Sequence, residues 1–184
     1  MKIIETTLPG VLIIEPEVYI DQRGWFKESY NLRKFEEAGI VSNFVQDNAS
    51  FSEKGVLRGL HFQRTRPQGK LVTCASGAVF DVVVDIDPNS STCGLHVAVE
   101  LTAENHRQLW VPPGFAHGFC VLSDRALFQY KCTEFYDPAD EGGVLWSDPQ
   151  LEIDWPIKKP VVSAKDSILP LLSEALSHSA DNNS

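Results

Sequence analysis

The segment Leu-Arg-Gly-Leu-His-Phe-Gln at residues 57–63 puts a cation and an imidazole close together in the chain. An arginine can bind phosphate, and a histidine can move a proton near neutral pH. Because their spacing is odd, Arg58 and His61 share one side of a strand only if Gly59 lets the strand bend. The alternative is a surface arginine beside a hydrogen-bonded core histidine, and this segment alone favours that alternative.

A lysine stands at the start of a predicted strand, directly after Pro67-Gln68-Gly69. A glycine turn would hold Lys70 at the mouth of the strand, near the end of the sheet, which leaves a functional role open. Solvated lysines at strand ends are commoner. Both interpretations stay open on these residues alone.

The run Pro-Pro-Gly-Phe-Ala-His-Gly-Phe at residues 112–119 predicts a turn between two strands that delivers His117 at its far end. It fits the Pro-x-Gly-x-x-His half of the cupin barrel signature. Metal-binding cupins add a His-x-His pair and a glutamate upstream, and this sequence has no His-x-His. We therefore expect no metal. The histidines, none of which has a paired spacing, are His61, His96, His106, His117 and His178.

Tyr130 and Tyr136 share parity along residues 126–136, so an uninterrupted strand would project both from one face. Such tyrosines usually pack in a core or line a barrel. If a pocket lies on that face, one hydroxyl could act as an acid and the other ring could stack on a base or sugar.

Near the C-terminus, Asp166 follows Lys165 and precedes a short predicted helix. Its carboxylate could cap that helix by accepting from exposed amide groups. The rival interpretation is a carboxylate that orients a catalytic imidazole.

The elements that position these residues are many short predicted strands, separated by Gly, Pro, Asp and Ser. Such a pattern predicts a mainly β sandwich or barrel. The clearest signal is the alternation at residues 79–86, which predicts a half-buried strand. The other strands are predicted at 3–6, 11–14, 26–30, 71–75, 95–101, 108–111, 119–122 and 126–135. Helices are predicted at 31–39, with an Asn start and a Gly stop, and at 167–176, interrupted by Pro170.

The 184 residues, 43% of them hydrophobic, are expected to form one domain, with residues 177–184 as a disordered tail. A net charge of −9 disfavours nucleic acid and anionic membranes as partners. Without a secretory signal or Cys-x-x-Cys pair, we expect a cytoplasmic protein with buried free thiols at Cys74, Cys93, Cys120 and Cys132.

From about Asp21 to Pro170, the order of these signals resembles the dTDP-4-dehydrorhamnose 3,5-epimerase family of the cupin superfamily, which implies a cupin-type jelly roll. Further matching segments are Asp-Gln-Arg-Gly-Trp-Phe-Lys-Glu at 21–28, Gln-Asp-Asn at 46–48, Tyr-Lys-Cys at 130–132, Trp-Ser-Asp-Pro at 146–149 and Ser-Ala-Lys-Asp at 163–166. The sequence departs from the family at residues 85–94, where relatives commonly carry an arginine in place of Asp87 and a bulky aromatic in place of Cys93.

The resemblance implies catalysis without a cofactor at the carbons beside the ketone of a dTDP-4-keto-6-deoxyhexose. His61 would be the general base, oriented by Asp166, and Tyr130 the acid on the opposite face. Lys70 would neutralise the enolate. The implied substrate-binding residues are Arg23, Phe26, Glu28, Gln46, Asn48, Arg58, His117, Tyr136, Glu141 and Lys165, with Tyr136 stacking on thymidine.

The resemblance also implies a homodimer in which residues near Arg23 to Glu28 serve the partner's site. A first alternative is an epimerase that inverts only carbon 3 or carbon 5, or that acts on a related nucleotide-linked ketosugar. A non-catalytic sugar-binding cupin is a second alternative, and a metal-dependent cupin is a third. Metal analysis separates the third from the others.

Overall fold

The computed structural model describes residues 1–41 and 43–180. Its strands are β1 (Lys2–Glu5), β2 (Leu12–Glu15), β3 (Val18–Asp21), β4 (Gly24–Lys27), β5 (Gln46–Glu53), β6 (Leu57–Gln63), β7 (Lys70–Ser76), β8 (Ala78–Asp85), β9 (His96–Thr102), β10 (Gln108–Val111), β11 (Phe115–Val121), β12 (Arg125–Cys132) and β13 (Glu141–Gly143). The helices are α1 (Leu32–Glu37) and α2 (Leu172–Ala180), with short 3₁₀ turns at Pro149–Leu151 and Asp166–Ile168.

Two antiparallel sheets face each other. One has the strand order β1-β2-β10-β7-β12-β5 and the other β13-β6-β11-β8-β9, while β3 and β4 form a separate hairpin. This two-sheet, mainly β architecture confirms the predicted fold class.

The main core lies between the two sheets. It includes Val72 of β7, Val83 of β8, Phe119 of β11 and Phe128 of β12, all of which are buried. Burying such a side chain contributes about 1.5–3 kcal/mol. This core holds the strands that carry the site at a fixed separation.

Strand β8 differs from its prediction, because it is buried on both faces rather than half-buried. Val82 and Val84 point away from the main core, where Trp155 and Leu172 of the C-terminal segment cover them. The aspartates in β8 suggested a solvent face to the sequence pattern. A covering layer from far along the chain removes that face.

Helix α1 confirms its prediction. Asn31 is its N-cap, and the side chain of Asn31 accepts from the backbone N–H of Lys34. Gly39 follows the helix with a φ of 82°, a left-handed conformation that favours glycine. The predicted helix at 167–176 is instead a 3₁₀ turn followed, after Pro170, by α2.

Other boundaries also differ. Strand β4 ends at Lys27, whereas a strand over 26–30 was predicted, and β3, β5 and β13 were not predicted. Helix α2 continues to Ala180, so the first four residues of the predicted tail are helical. The side chain of His178 and all of residues 181–184 lie outside the described part of the chain.

The four cysteines are free thiols; Cys93 is partly exposed and the other three are buried. Among the described residues, no helix is both long enough and apolar enough to cross a membrane.

Candidate active site

Two adjoining cavities form one cleft between the sheets. Their volumes are about 490 and 280 Å³, and both are lined by His61, Lys70 and Tyr130. The larger cavity is also lined by Arg58, His117, Lys165 and Asp166, and the smaller one by Gln46, Asn48, Tyr136 and Glu141. The cleft therefore brings together eleven of the fourteen residues expected at a site.

Gly59 is what lets Arg58 and His61 reach the same cavity. Its φ of 120° is in the region that favours glycine. The β6–β11 register shifts at this point, from the pair His117–His61 to the pair Phe119–Arg58. A Cβ on Gly59 would lie 2.6 Å from the Cα of Gly118, so only glycine fits. Strand β6 therefore has the bend at Gly59 that the spacing of Arg58 and His61 required.

His61 is paired with a buried carboxylate. Its Nε2 lies 2.8 Å from Oδ1 of Asp166, and the N–H of Gly59 donates to Oδ2 at 3.2 Å. Burial acts to raise the pKa of Asp166, but His61 and the Gly59 amide hold that pKa below its ordinary value. The 3₁₀ turn that begins at Asp166 has no side-chain cap, so this geometry favours the orienting role over the capping role.

Lys70 lies at the start of β7, paired with Cys132 of β12 and Val111 of β10. Burial lowers the pKa of Lys70, while Cys132, Asp81 and Glu141 oppose this effect. Among the residues that the structure describes, no hydrogen-bond or ion-pair partner is seen for its ammonium. An unpaired ammonium in a cavity is suited to bind an anionic group of a ligand, or to neutralise negative charge that develops on the ligand during a reaction.

Tyr130 projects into the cleft from β12, where its neighbours are Asn48 of β5 and Val72 of β7. Burial raises the pKa of its phenol, and Cys132 raises it further. The hydroxyl is therefore protonated at neutral pH, as a proton donor must be.

His117 lies within β11 rather than at the end of the preceding turn, because β11 begins at Phe115. Both oxygens of Asp81 lie close to its Nε2, at 2.9 and 3.0 Å. Its ring stacks on Phe128 with centroids 6.2 Å apart. Asp81 was not among the predicted site residues, although an acidic residue inside an apolar run of the sequence is a signal that could have identified it.

Tyr136 lies beyond the end of β12, so the strand is interrupted before this residue and strand parity does not explain its position. It still faces the cleft, and its hydroxyl donates to Oε2 of Glu141 at 2.7 Å. Hydrogen bonding to Glu141 raises the pKa of Tyr136 to about 12. The ammonium of Lys165 also contacts Oε2 of Glu141, so this carboxylate joins residues of both cavities.

Strand β5 contributes a row of inward-facing polar side chains. Gln46 and Asn48 hydrogen-bond to each other at 3.0 Å. Ser52 accepts from the guanidinium of Arg58 at 3.1 Å. Ser50 also lines the larger cavity, and its buried hydroxyl has no partner among the described residues. The period-2 spacing after Gln46 could have identified Ser50 from the sequence.

The chain matches the family model described as dTDP-4-dehydrorhamnose 3,5-epimerase over residues 5–174. The chain belongs to that family. A relative from Salmonella typhimurium, named dTDP-4-dehydrorhamnose 3,5-epimerase, is 56% identical over 179 residues, which cover 96% of this chain and 98% of its own. One from Streptomyces niveus, named dTDP-4-dehydrorhamnose 3-epimerase, is 42% identical over 177 residues, 95% of this chain and 86% of its own.

Among solved structures, the dTDP-6-deoxy-D-glucose-3,5-epimerase of Legionella pneumophila matches this chain with a TM-score of 0.94 and 50% identity. The match covers 97% of this chain and 96% of that one, and that structure contains dTDP-4-keto-L-rhamnose. The predicted family membership and the cupin-like fold are thereby confirmed.

Three residues that the family resemblance predicted to bind substrate do not line the cleft of their own chain. Arg23 and Phe26 line a separate cavity on the β3–β4 hairpin, where Arg23 pairs with Asp21 and Phe26 is 69% exposed. Glu28 pairs with Lys34 at 2.8 Å. Within one chain these three residues lie apart from His61, and their expected role in the partner's site stays a prediction.

The described residues contain no group of three or more His, Cys, Asp or Glu side chains placed to hold a metal ion.

Proposed function

We propose that this epimerase converts dTDP-4-dehydro-6-deoxy-D-glucose to dTDP-4-dehydro-L-rhamnose by inverting carbons 3 and 5, a step of dTDP-rhamnose biosynthesis. Membership of the family and the 56% identical Salmonella relative support this substrate and product. The observation that carries the chemistry is the His61–Asp166 pair, which shares one cleft with Lys70 and Tyr130.

His61 takes the proton. Because its Nε2 is bound to Asp166, a neutral ring that donates through Nε2 leaves Nδ1 as the basic nitrogen. The C–H bond next to the ketone breaks, its proton passes to His61, and its electron pair forms an enolate. Asp166 stabilises the imidazolium that results.

Lys70 and Tyr130 complete the inversion. The enolate oxygen carries the negative charge, and the Lys70 ammonium neutralises it. Tyr130 then gives its proton to the carbon from the other face. The phenolate regains a proton from the medium, and the imidazolium of His61 releases one to it. Two groups are needed, because a single group that returned its own proton would restore the starting configuration. Acid–base transfer contributes roughly 10²–10⁴-fold, so positioning and enolate neutralisation supply the rest.

The remaining polar groups bind the nucleotide and the sugar. Arg58, Lys165 and His117 line the larger cavity, and arginine and lysine suit phosphate oxygens. Tyr136, Gln46, Asn48 and Glu141 line the smaller cavity, where the ring of Tyr136 stacks on thymine.

A homodimer would account for the residues that the cleft lacks. The β3–β4 hairpin exposes Tyr19, Ile20, Trp25 and Phe26. An exposed apolar hairpin is better paired than left in water. In this arrangement Arg23, Phe26 and Glu28 contact substrate in the partner's cleft. We further propose that the enzyme acts in the cytoplasm.

The test is incubation with dTDP-4-keto-6-deoxyglucose in deuterated water without added metal, followed by NMR of the product. Deuterium at carbons 3 and 5 with inversion at both is the expected result. Deuterium at one carbon favours a single-centre epimerase, a second candidate that the 42% identical 3-epimerase relative supports. No deuterium at either carbon contradicts both and leaves a sugar-binding role.

A further inference from the structure

The loop between β12 and β13 carries Tyr136, which lines the smaller cavity. Phe135 and Tyr136 are 58% and 50% exposed, so packing alone does little to fix this part of the chain. A side chain that must be ordered when a ligand arrives loses part of its binding energy to the cost of ordering. The groups that hold the backbone at Tyr136 therefore bear on how well its ring can bind a ligand.

Gln63, the last residue of β6, holds that backbone. Its Oε1 accepts from the N–H of Asp137 at 2.8 Å. Its Nε2 donates to the carbonyl of Phe135 at 3.2 Å and to the carbonyl of Arg66 at 2.8 Å. The bonds to Phe135 and Asp137 fall on the two peptide groups that flank Tyr136. A single side chain thus ties the backbone of Tyr136 at both of its peptide bonds.

Two neighbouring side chains hold Tyr136 further. Oε1 of Gln46 accepts from the N–H of Tyr136 at 2.9 Å, so the peptide group that precedes Tyr136 is bonded at its carbonyl and at its N–H. Glu141 is paired with Gln63 in the β6–β13 register, and it accepts from the hydroxyl of Tyr136 at 2.7 Å. Tyr136 is therefore held at its backbone by β5 and β6 and at its hydroxyl by β13.

The side chain of Gln63 is placed to position other groups rather than to bind a ligand itself. It is only 5% exposed, and bonds within the chain engage its carbonyl oxygen and its Nε2 twice. Gln63 follows His61 by two positions on β6, and both residues line the smaller cavity. The strand that carries the proposed base therefore also fixes the loop that carries Tyr136.

We propose that Gln63 is a positioning residue for nucleotide binding: it fixes the loop so that the ring of Tyr136 is already in place to stack on the base of the dTDP group. The inference rests on the proposed function, because it gives a purpose to stacking by Tyr136. A ring that is fixed beforehand does not have to be ordered when the substrate binds, which favours affinity. Gln63 acts through Tyr136 and not on the reacting carbons, so its loss should raise KM and leave kcat nearly unchanged.

Gln63→Met keeps the approximate length of the side chain and removes its three hydrogen bonds. Calorimetric titration of the full-length variant with dTDP should show binding weakened by roughly 5- to 50-fold, within the range that a lost stacking contact allows. Steady-state kinetics should show a matching rise in KM with kcat nearly retained. A fall in kcat with KM unchanged would contradict the proposal, because Gln63 would then affect the chemical steps.

A double variant tests whether Gln63 acts through the ring of Tyr136. Gln63→Met combined with Tyr136→Ala should bind dTDP as weakly as Tyr136→Ala alone, because no ring is left to position. If the two losses of binding free energy add instead, Gln63 acts by another route and the proposal is wrong.

Ser123→Ala is the matched control, since it also removes a side chain that ties a turn. Oγ of Ser123 accepts from the N–H of Ala78 at 2.8 Å and donates to the carbonyl of Arg125 at 2.6 Å. Arg125 begins β12 at the end opposite to the Tyr136 loop, and Ser123 lines neither cavity of the cleft. Its substitution should leave dTDP binding unchanged. Equal weakening in Ser123→Ala and Gln63→Met would indicate a general effect on the fold and would overturn the proposal.

The same titrations separate the inference from the proposed function. If Tyr136→Ala binds dTDP as tightly as wild type, stacking by Tyr136 is contradicted and the inference falls with it. If Tyr136→Ala weakens binding and Gln63→Met does not, the inference alone is wrong.

The wild-type protein covers failure of Gln63→Met to fold. Amide hydrogen exchange followed by NMR should show protected N–H groups at Tyr136 and Asp137, although Tyr136 lies in an exposed loop, because Gln46 and Gln63 accept from them. Exchange of the Asp137 amide at the rate of an unstructured peptide would overturn the proposal without any variant.

Discussion

His61 and Asp166 are 105 residues apart in the chain, yet Nε2 of His61 lies 2.8 Å from Oδ1 of Asp166. The contact joins β6 to the 3₁₀ turn Asp166–Ile168. Gly59 supports it twice, because its conformation bends β6 and its N–H binds the other oxygen of Asp166. The residue that shapes the strand therefore also fixes the carboxylate that orients the base.

This pair should make the stability of the fold depend on pH. The pKa of Asp166 is held below its ordinary value. A carboxyl group of this kind stabilises the fold above its unfolded-state pKa, and that stabilisation is lost as pH falls through the folded-state pKa. The deficit in unfolding free energy of Asp166→Asn should therefore be larger at pH ~7 than at pH ~3. Urea denaturation measures both, and an equal deficit would refute the expectation.

Replacing the base should stop exchange at both carbons. His61→Ala removes the group that takes the proton, so deuterium incorporation at carbons 3 and 5 should fall by roughly 10²–10⁴-fold. The measurement is NMR of substrate in deuterated water. His96→Ala, at the start of β9 and away from both cavities, is the control and should exchange normally. Near-normal turnover of His61→Ala would show that another group is the base.

Replacing the acid should separate proton removal from inversion. Tyr130→Phe keeps the ring and loses the hydroxyl, so His61 can still exchange a proton while the opposite face has no donor. We expect deuterium in recovered starting sugar and little inverted product. Tyr30→Phe, whose ring packs on Phe35 and Phe44 away from the cleft, is the control. Normal product formation by Tyr130→Phe would assign the acid elsewhere.

The sequence predicts the local part of this site and misses what distant segments supply. The odd spacing of Arg58 and His61 identified the need for a bend at Gly59, and the structure contains it. For Asp166, the residues left two interpretations open, because nothing local shows which strand a later turn will approach. The family resemblance was needed to choose between them.

The errors share a physical cause. Strand periodicity reports which residues lie on one face, but not what covers that face. Asp81 looked like the solvent side of a half-buried strand, and the C-terminal segment together with the opposite sheet buries both sides of β8. The placement of Arg23, Phe26 and Glu28 meets the same limit, since a motif does not say to which copy of the chain its hairpin extends.

The ring of Tyr136 and its hydroxyl should have separable effects. If stacking on thymine provides the binding energy, Tyr136→Phe should leave KM nearly unchanged, although the bond to Glu141 is lost. Tyr136→Ala should weaken binding by about 1–3 kcal/mol, which is roughly 5- to 150-fold in KM. Steady-state kinetics with both variants measures this. A similar KM increase in the two would assign the effect to the hydroxyl and its Glu141 contact.

The β3–β4 hairpin should serve the cleft of a second copy of the chain. Arg23→Ala and His61→Ala should each be nearly inactive as pure proteins. In a mixed dimer made by co-refolding, the Arg23→Ala chain keeps its His61 and receives an intact hairpin from the His61→Ala chain, so one complete cleft forms. Activity should then return to a fraction of wild type. His61→Ala mixed with Asp166→Asn is the control. Each chain then carries a defect in its own cleft that an intact partner hairpin cannot repair, so no complete cleft forms and activity should not return. If the first mixture stays as inactive as its components while light scattering shows dimers, Arg23 does not act across the interface.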